Sequence, residues 1–197
     1  MKSITNKFSI ASVSEVENCS SRALRRACVW SLTLVAASTL ASFNCVAADK
    51  AIRINAGATA SCTDSAGNTW LPDQGFDGGK TVDRGSIEIA GTTMPDIYRT
   101  EHYGMKAFSQ AVPNGAYTVK LHFAETNAKI TTKGKRVFSV KIEDQEIKDL
   151  DVVAKAGAPK TAWVETVNVN VTDGKLDMTF TPGVQNPEIN GIEILPR

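Results

Sequence analysis

The chain is short of the residues from which most thiol, metal and acid–base sites are built. It has two histidines, His102 and His122, and four cysteines among 197 residues. Neither a His-Glu-x-x-His zinc motif nor a Gly-x-Ser-x-Gly nucleophile turn occurs. An excess of charge of either sign is also lacking. With 22 Lys+Arg against 21 Asp+Glu, there is no electrostatic case for nucleic acid as a partner. No apolar run reaches the ~20 residues of a permanent membrane span; the longest, residues 27–43, is interrupted by Ser and Thr. No stretch repeats its apolar residues at the helical period, so little helix is expected.

What is present divides into two parts. Residues 1–48 read as an export leader. Arg22, Arg25 and Arg26 precede the apolar run, which closes on Cys45-Val46-Ala47-Ala48 ahead of Asp49-Lys50. Small side chains before the cut suit a signal peptidase, and the cut is expected after Ala47 or Ala48. The Arg25-Arg26 pair also fits a twin-arginine signal. Cys19, Cys28 and Cys45 would leave with the leader, so Cys62 would stand alone, without an intrachain disulfide or a multi-cysteine metal site. Residues 49–197 keep 17 basic and 19 acidic side chains, a net charge of −2. The mature product is expected to be a single secreted or periplasmic domain without a membrane span.

The mature region is punctuated like an all-β protein. Tyr117, Val119, Leu121 and Phe123 alternate with Thr118, Lys120, His122 and Ala124 after a Pro113-Asn114-Gly115 turn, placing one set on a core face. Phe138, Val140 and Ile142 repeat the pattern, and residues 145–150 can pair with them across Glu143-Asp144. Val167, Val169 and Val171 alternate up to Thr172-Asp173-Gly174, and Leu176, Met178 and Phe180 continue beyond it. Asp-Gly between two alternating runs predicts a hairpin of residues 163–171 with 175–181. Residues 52–55 and 189–195 supply a first and a last strand, expected as neighbours. Many short strands at this spacing predict a β-sandwich.

Residues 62–104 carry Gly, Asn, Asp and aromatics with few clean alternations. Loops that long inside a compact domain are usually functional. Trp70 in this region is either a platform for a ligand or a plug under the loop. Asp64, Asp73 and Asp77 offer oxygen ligands of the kind calcium takes, or are solvated turn residues.

Seven strings in order resemble the malectin family, a carbohydrate-binding β-sandwich. They are Ile52-Arg53-Ile54-Asn55-Ala56-Gly57; residues 64–70 with Asp73-Gln74-Gly75-Phe76; Tyr98-Arg99-Thr100-Glu101-His102-Tyr103; residues 114–125, ending in His122-Phe123-Ala124-Glu125; Arg136-Val137-Phe138-Ser139-Val140; Lys148-Asp149-Leu150-Asp151-Val152; and residues 186–194, beginning Asn186-Pro187-Glu188-Ile189-Asn190-Gly191. The resemblance implies an all-β sandwich of jelly-roll, galactose-binding-like type over residues 49–197. It also implies a sugar site on the loops at one end. Tyr103 matches the tyrosine that closes the family's Thr-Glu stretch. The family's Tyr-Phe pair is replaced here by Thr126-Asn127 and its aspartate by Gln185, and a further aromatic falls near Arg84.

A sugar site combines an exposed aromatic, which stacks on C–H faces, with amides, carboxylates or guanidinium groups that meet the hydroxyls. The expected contacts are therefore Tyr103 and Trp70, with Arg84, Glu125, Asn127, Gln185 and Asn186 supplying hydrogen bonds. The expected activity is non-catalytic binding of a glucan or other oligosaccharide or polysaccharide, with no cofactor. The alternative is a protein-interaction module that kept the fold and lost the sugar.

Overall fold

The computed structural model describes residues 50–197, and the leader assigned to residues 1–48 lies outside them. In chain order the strands are β1 (Ile52–Asn55), β2 (Cys62–Thr63), β3 (Thr69–Trp70), β4 (Phe76–Asp83), β5 (Thr100–Ala111), β6 (Gly115–Phe123), β7 (Val137–Ile142), β8 (Gln145–Leu150), β9 (Trp163–Val171), β10 (Lys175–Val184), β11 (Glu188–Ile189) and β12 (Gly191–Pro196). Helical structure among the described residues is a 3-10 turn at Pro95–Tyr98 and one five-residue helix, α1 (Val152–Ala156). No helix of these residues is long and apolar enough to cross a membrane.

Two antiparallel sheets face each other. One has the order β1-β12-β6-β9; the other runs β11-β5-β10-β7-β8, with β4 also on β5, and β2-β3 form a small ribbon. The alternation in β6 does what period two requires. Tyr117, Val119, Leu121 and Phe123 enter the core with Ile54, Ile192 and Ile194 from neighbouring strands. From the other sheet come Phe108, Phe138, Val140, Ile142, Leu176, Met178 and Phe180. The first and last strands are neighbours, Ile52 facing Ile194, and β7 pairs with β8, both as the sequence predicts.

The Asp173-Gly174 hairpin does not form. β9 pairs with β6, whereas β10 pairs with β5 and β7 in the opposite sheet. The turn is a crossover between sheets. The Pro113-Asn114-Gly115 turn is a second crossover, from β5 to β6, and Asn114 ties the two together: its Nδ2 donates to the Thr172 carbonyl at 2.9 Å and its Oδ1 accepts from Gly174 N at 2.7 Å. Dipeptide chemistry specified the reversal; the strands' partners were chosen by the core.

The outer side of β6 also departs from simple alternation, because His122 and Ala124 are buried as well. A second apolar cluster of Trp70, Ile89, Ile97, Tyr98 and Ala124 covers them. Trp70 is 1% exposed, sits edge-on to the His122 ring at 5.3 Å, and donates its indole N–H to Asp64 at 3.0 Å. It is therefore a plug under the loop and no platform for a ligand. Cys62 remains a free, half-buried thiol facing Trp70 across the ribbon. The loop aspartates are occupied from within: Asp64 accepts from Ala66 N, Asn68 N and Trp70, while Asp73 accepts from Gly57 N and His102. Among the described residues no group of three or more His, Cys, Asp or Glu is arranged to hold a metal ion.

Candidate functional site

β5 carries the residues around which the expected site gathers. Tyr103 is half-buried in the first third of the strand, paired with Lys80 on one side and Glu188 on the other. It forms the shared wall of two depressions. The first, of about 200 Å³, is lined by Val82, Arg84, Glu101, Tyr103, Asn127 and Arg136. The second, of about 330 Å³, is lined by Gly79, Lys80, Tyr103, Gly104 and Asn186. Gly79 permits this close packing. It has φ +85°, and a Cβ there would lie 2.6 Å from His102 Nε2, so any other residue would be strained and would push the strands apart.

The polar groups of the first depression are pinned rather than mobile. Arg84 donates from Nη2 to Glu101 Oε1 at 2.7 Å and from Nε to the Thr126 hydroxyl at 3.2 Å. Thr126 donates in turn to the other Glu101 oxygen. Behind them Arg136 donates from Nε to Glu125 Oε2 at 2.6 Å and from Nη1 to the Asn186 carbonyl at 2.6 Å. Glu125 also accepts from Asn127 N at 2.9 Å, and Asn127 Oδ1 accepts from Lys129 N. Burial pushes the Glu125 carboxyl up against the opposing pull of Arg136. Burial also weighs against the charge on Arg136, but at the high pH where a guanidinium titrates the acidic side chains around it, Glu188 foremost, are ionised and hold its pKa above its usual value.

Of the residues expected from sequence, Arg84, Tyr103 and Asn127 line one depression, and Asn186 lines the other across the Tyr103 ring. Glu125 lies beneath, reached through Arg136. Gln185 is exposed beside Asn186, in the left-handed region at φ 62°, and lines neither depression. Trp70 lies in the separate cluster under its own loop. Glu101, Arg136 and Lys80 join the site without having been singled out as ligand contacts. Arg136 precedes an alternating strand, and its position at the head of the Val137-Phe138-Ser139-Val140 run was the one available signal.

Both histidines are committed elsewhere. His102 Nε2 faces the Gly78 carbonyl at 2.9 Å and Nδ1 faces the Asp73 carboxylate at 3.0 Å. Both neighbours are acceptors, so the ring must donate twice and is an imidazolium. Burial opposes that charge, but the bonds to Asp73 and Gly78 outweigh it and raise the pKa. His122 is held between Tyr98 and Glu193 on the other sheet.

The sequence profile of the malectin domain matches residues 50–192. The chain belongs to the malectin family. A kinesin-like protein of rice, KIN-14E, is 27% identical over 172 residues, covering 83% of this chain and 16% of its own length. This chain thus spans less than a fifth of that relative's length. Among solved structures, a Bacteroides uniformis β-glucuronidase superimposes with a TM-score of 0.68 at 21% identity, covering 75% of this chain and 18% of that one. The plant receptor FER, in its complex with the peptide RALF23 and LLG2, gives 0.65 at 21%, covering 75% and 48%. At these identities the structural likeness establishes the fold alone.

Proposed function

We propose that this malectin domain binds carbohydrate without turning it over, at the paired depressions on either side of Tyr103. The observation that carries the reading is the ring itself: a half-exposed aromatic flanked by the pinned Arg84 guanidinium, the Lys80 ammonium and the amides of Asn127 and Asn186. The ring can stack on a sugar's C–H face while Arg84, Asn127, Lys80 and Asn186 meet hydroxyls. Glu101 and Glu125 are each fixed by a guanidinium, and neither histidine touches the depressions, which supports binding over glycosidic chemistry. A glucan or other oligosaccharide fits the family, and export to the cell exterior or periplasm fits the leader read at residues 1–48.

A protein or peptide partner is the second reading. It is favoured by the solitary aromatic and by the peptide that the structurally similar receptor FER carries in its complex.

The test is a glycan array followed by calorimetry, with maltose and nigerose included, on wild type and Tyr103→Ala. One stacked ring contributes about 1 kcal/mol, so the variant should bind about fivefold more weakly while keeping the wild-type fold by circular dichroism. Equal binding by both proteins would displace the site from Tyr103. An array without hits from folded protein would turn the assignment to the peptide class. Tryptophan fluorescence is a poor readout here, because Trp70 is buried and Trp163 is stacked on Phe123.

A further inference from the structure

We propose that the outer face of the four-stranded sheet carries a second ligand site, one for an uncharged polyhydroxyl compound. An open depression of about 700 Å³ lies there, within the size range of small-molecule sites. It shares no residue with the depressions at Tyr103. Strand pairing lays Glu193, Lys120 and Thr166 side by side in one row across the floor, with His122 and Val164 adjacent in the next. The segment from Gly91 to Met94 forms a wall, and Tyr98 lies at its base.

The floor is a preorganised hydrogen-bond chain. Glu193 Oε2 accepts from Arg53 Nε at 2.9 Å, and its Oε1 faces His122 Nε2 at 3.1 Å. With Nε2 donating to the carboxylate, Nδ1 accepts from the Tyr98 hydroxyl at 2.8 Å. Burial, aided by the Glu193 charge, pushes that hydroxyl's pKa up to about 12, so Tyr98 keeps its proton. Tyr98 and His122 are almost fully buried, and the Glu193 side chain is 10% exposed. Ligand binding would therefore not have to immobilise them.

Capacity is left over at the surface. Each Glu193 oxygen has further acceptor positions. Lys120 Nζ stands 3.8 Å from Glu193 Oε1, beyond hydrogen-bond range, and keeps its donors. The exposed Thr166 hydroxyl has no hydrogen-bond partner among the described residues. Val164, 38% exposed, and Met94 supply apolar surface beside them. A carboxylate drawn to Lys120 would also meet Glu193 3.8 Å away, and an amine drawn to Glu193 would meet Lys120. Neighbouring hydroxyls satisfy both, donating to the one and accepting from the other, while C–H faces lie over Val164 and Met94. The second site stands whether or not the Tyr103 site binds, and with both sites occupied one domain would hold two chains of a polysaccharide.

Amide and methyl NMR of the purified protein tests this, titrated with neutral oligosaccharides of glucose, mannose, galactose and xylose, with glucuronate and glucosamine as charged comparators. The resonances of Lys120, Val164 and Thr166 should move with a neutral sugar, and move equally in Tyr103→Ala. Lys120→Gln and Thr166→Glu, both on a solvated face, should weaken that response about tenfold or more while leaving the spectrum around Tyr103 and elsewhere as in wild type. The proposal is overturned if these resonances stay still with every neutral sugar, if a charged comparator binds more tightly, if the two variants titrate like wild type, or if the response disappears in Tyr103→Ala.

Discussion

Replacing Glu188 should stabilise the protein, and more so as the pH rises. Glu188 is wholly buried on β11, and neither of its carboxylate oxygens has a hydrogen-bond partner among the described residues. Burial is the largest influence on it, reinforced by Glu101 and Glu125 and opposed by Arg136 and Arg84; its pKa lies well above 4.5. If Glu188 keeps its proton, those two carboxylates and two guanidinium groups balance. An unsatisfied buried polar group costs about 1–3 kcal/mol. Glu188→Met keeps the side-chain length and removes the polar group, so it should gain about that much, or roughly 2–4 °C in unfolding temperature per kcal/mol for a domain of this size. The sign of the pH effect follows from the raised pKa. Glu188 contributes its share of stability below the unfolded value of 4.5 and loses it as the pH rises through the folded value. Urea unfolding followed by circular dichroism at a series of pH values should therefore show the gap between variant and wild type widening upward. Glu188→Gln should lose the same slope without the gain in acid. A Met variant less stable than wild type at neutral pH would mean that Glu188 is ionised and held by Arg136, and the reasoning would fail.

The other predictions concern the groups around it. Arg136→Met should cost about 3–5 kcal/mol in urea unfolding, because it leaves Glu125 buried and uncompensated; the double variant with Glu125→Leu should recover much of the loss, and an additive double variant would contradict this. His102→Gln should flatten stability between the ordinary histidine value of 6.5 and the raised folded value, since the imidazolium's contribution is complete below 6.5 and is lost as pH climbs through the folded pKa. Asp64→Asn should lower the unfolding temperature and remove an acid transition: hydrogen bonds from Trp70 and Asn68 hold this carboxyl at about 2, so its contribution persists above 3.8 and is lost as pH falls through about 2. Near-ultraviolet circular dichroism, which reports the Trp70 environment, should change in the same variant.

How much of this was legible in the sequence depends on whether the signal was local. The core faces of β6, β7 and β10 were readable because each strand alternates on its own. The pairing of β9 with β6 was not, because Asp173-Gly174 describes a reversal that serves a crossover as well as a hairpin. Trp70 was ambiguous for a different reason. A loop aromatic is a platform or a plug according to what lies across from it, and Ile97 and Tyr98 arrive from residues more than twenty positions away. Tyr103, Arg84, Asn127 and Asn186 were reachable through family resemblance, whereas the buried ion pair of Arg136 and the half-buried one of Arg84 depend on which strands meet. Charged residues inside the protein leave no periodic trace that separates them from those outside it.

The position of β12 bears on how the chain reaches this fold. It lies between β1 and β6, and the ion pair of Arg53 with Glu193 joins residues 140 positions apart. On a ribosome, β1 has only its parallel bridge to Leu71 until nearly the whole domain has emerged, while β6 offers an unpaired edge to other chains. Such long-range closure slows folding and prolongs exposure to aggregation. Cutting the chain before Gly191 would divide the four-stranded sheet through its middle, leaving β1 only its bridge to Leu71 and Ile54 with no Ile192 beside it.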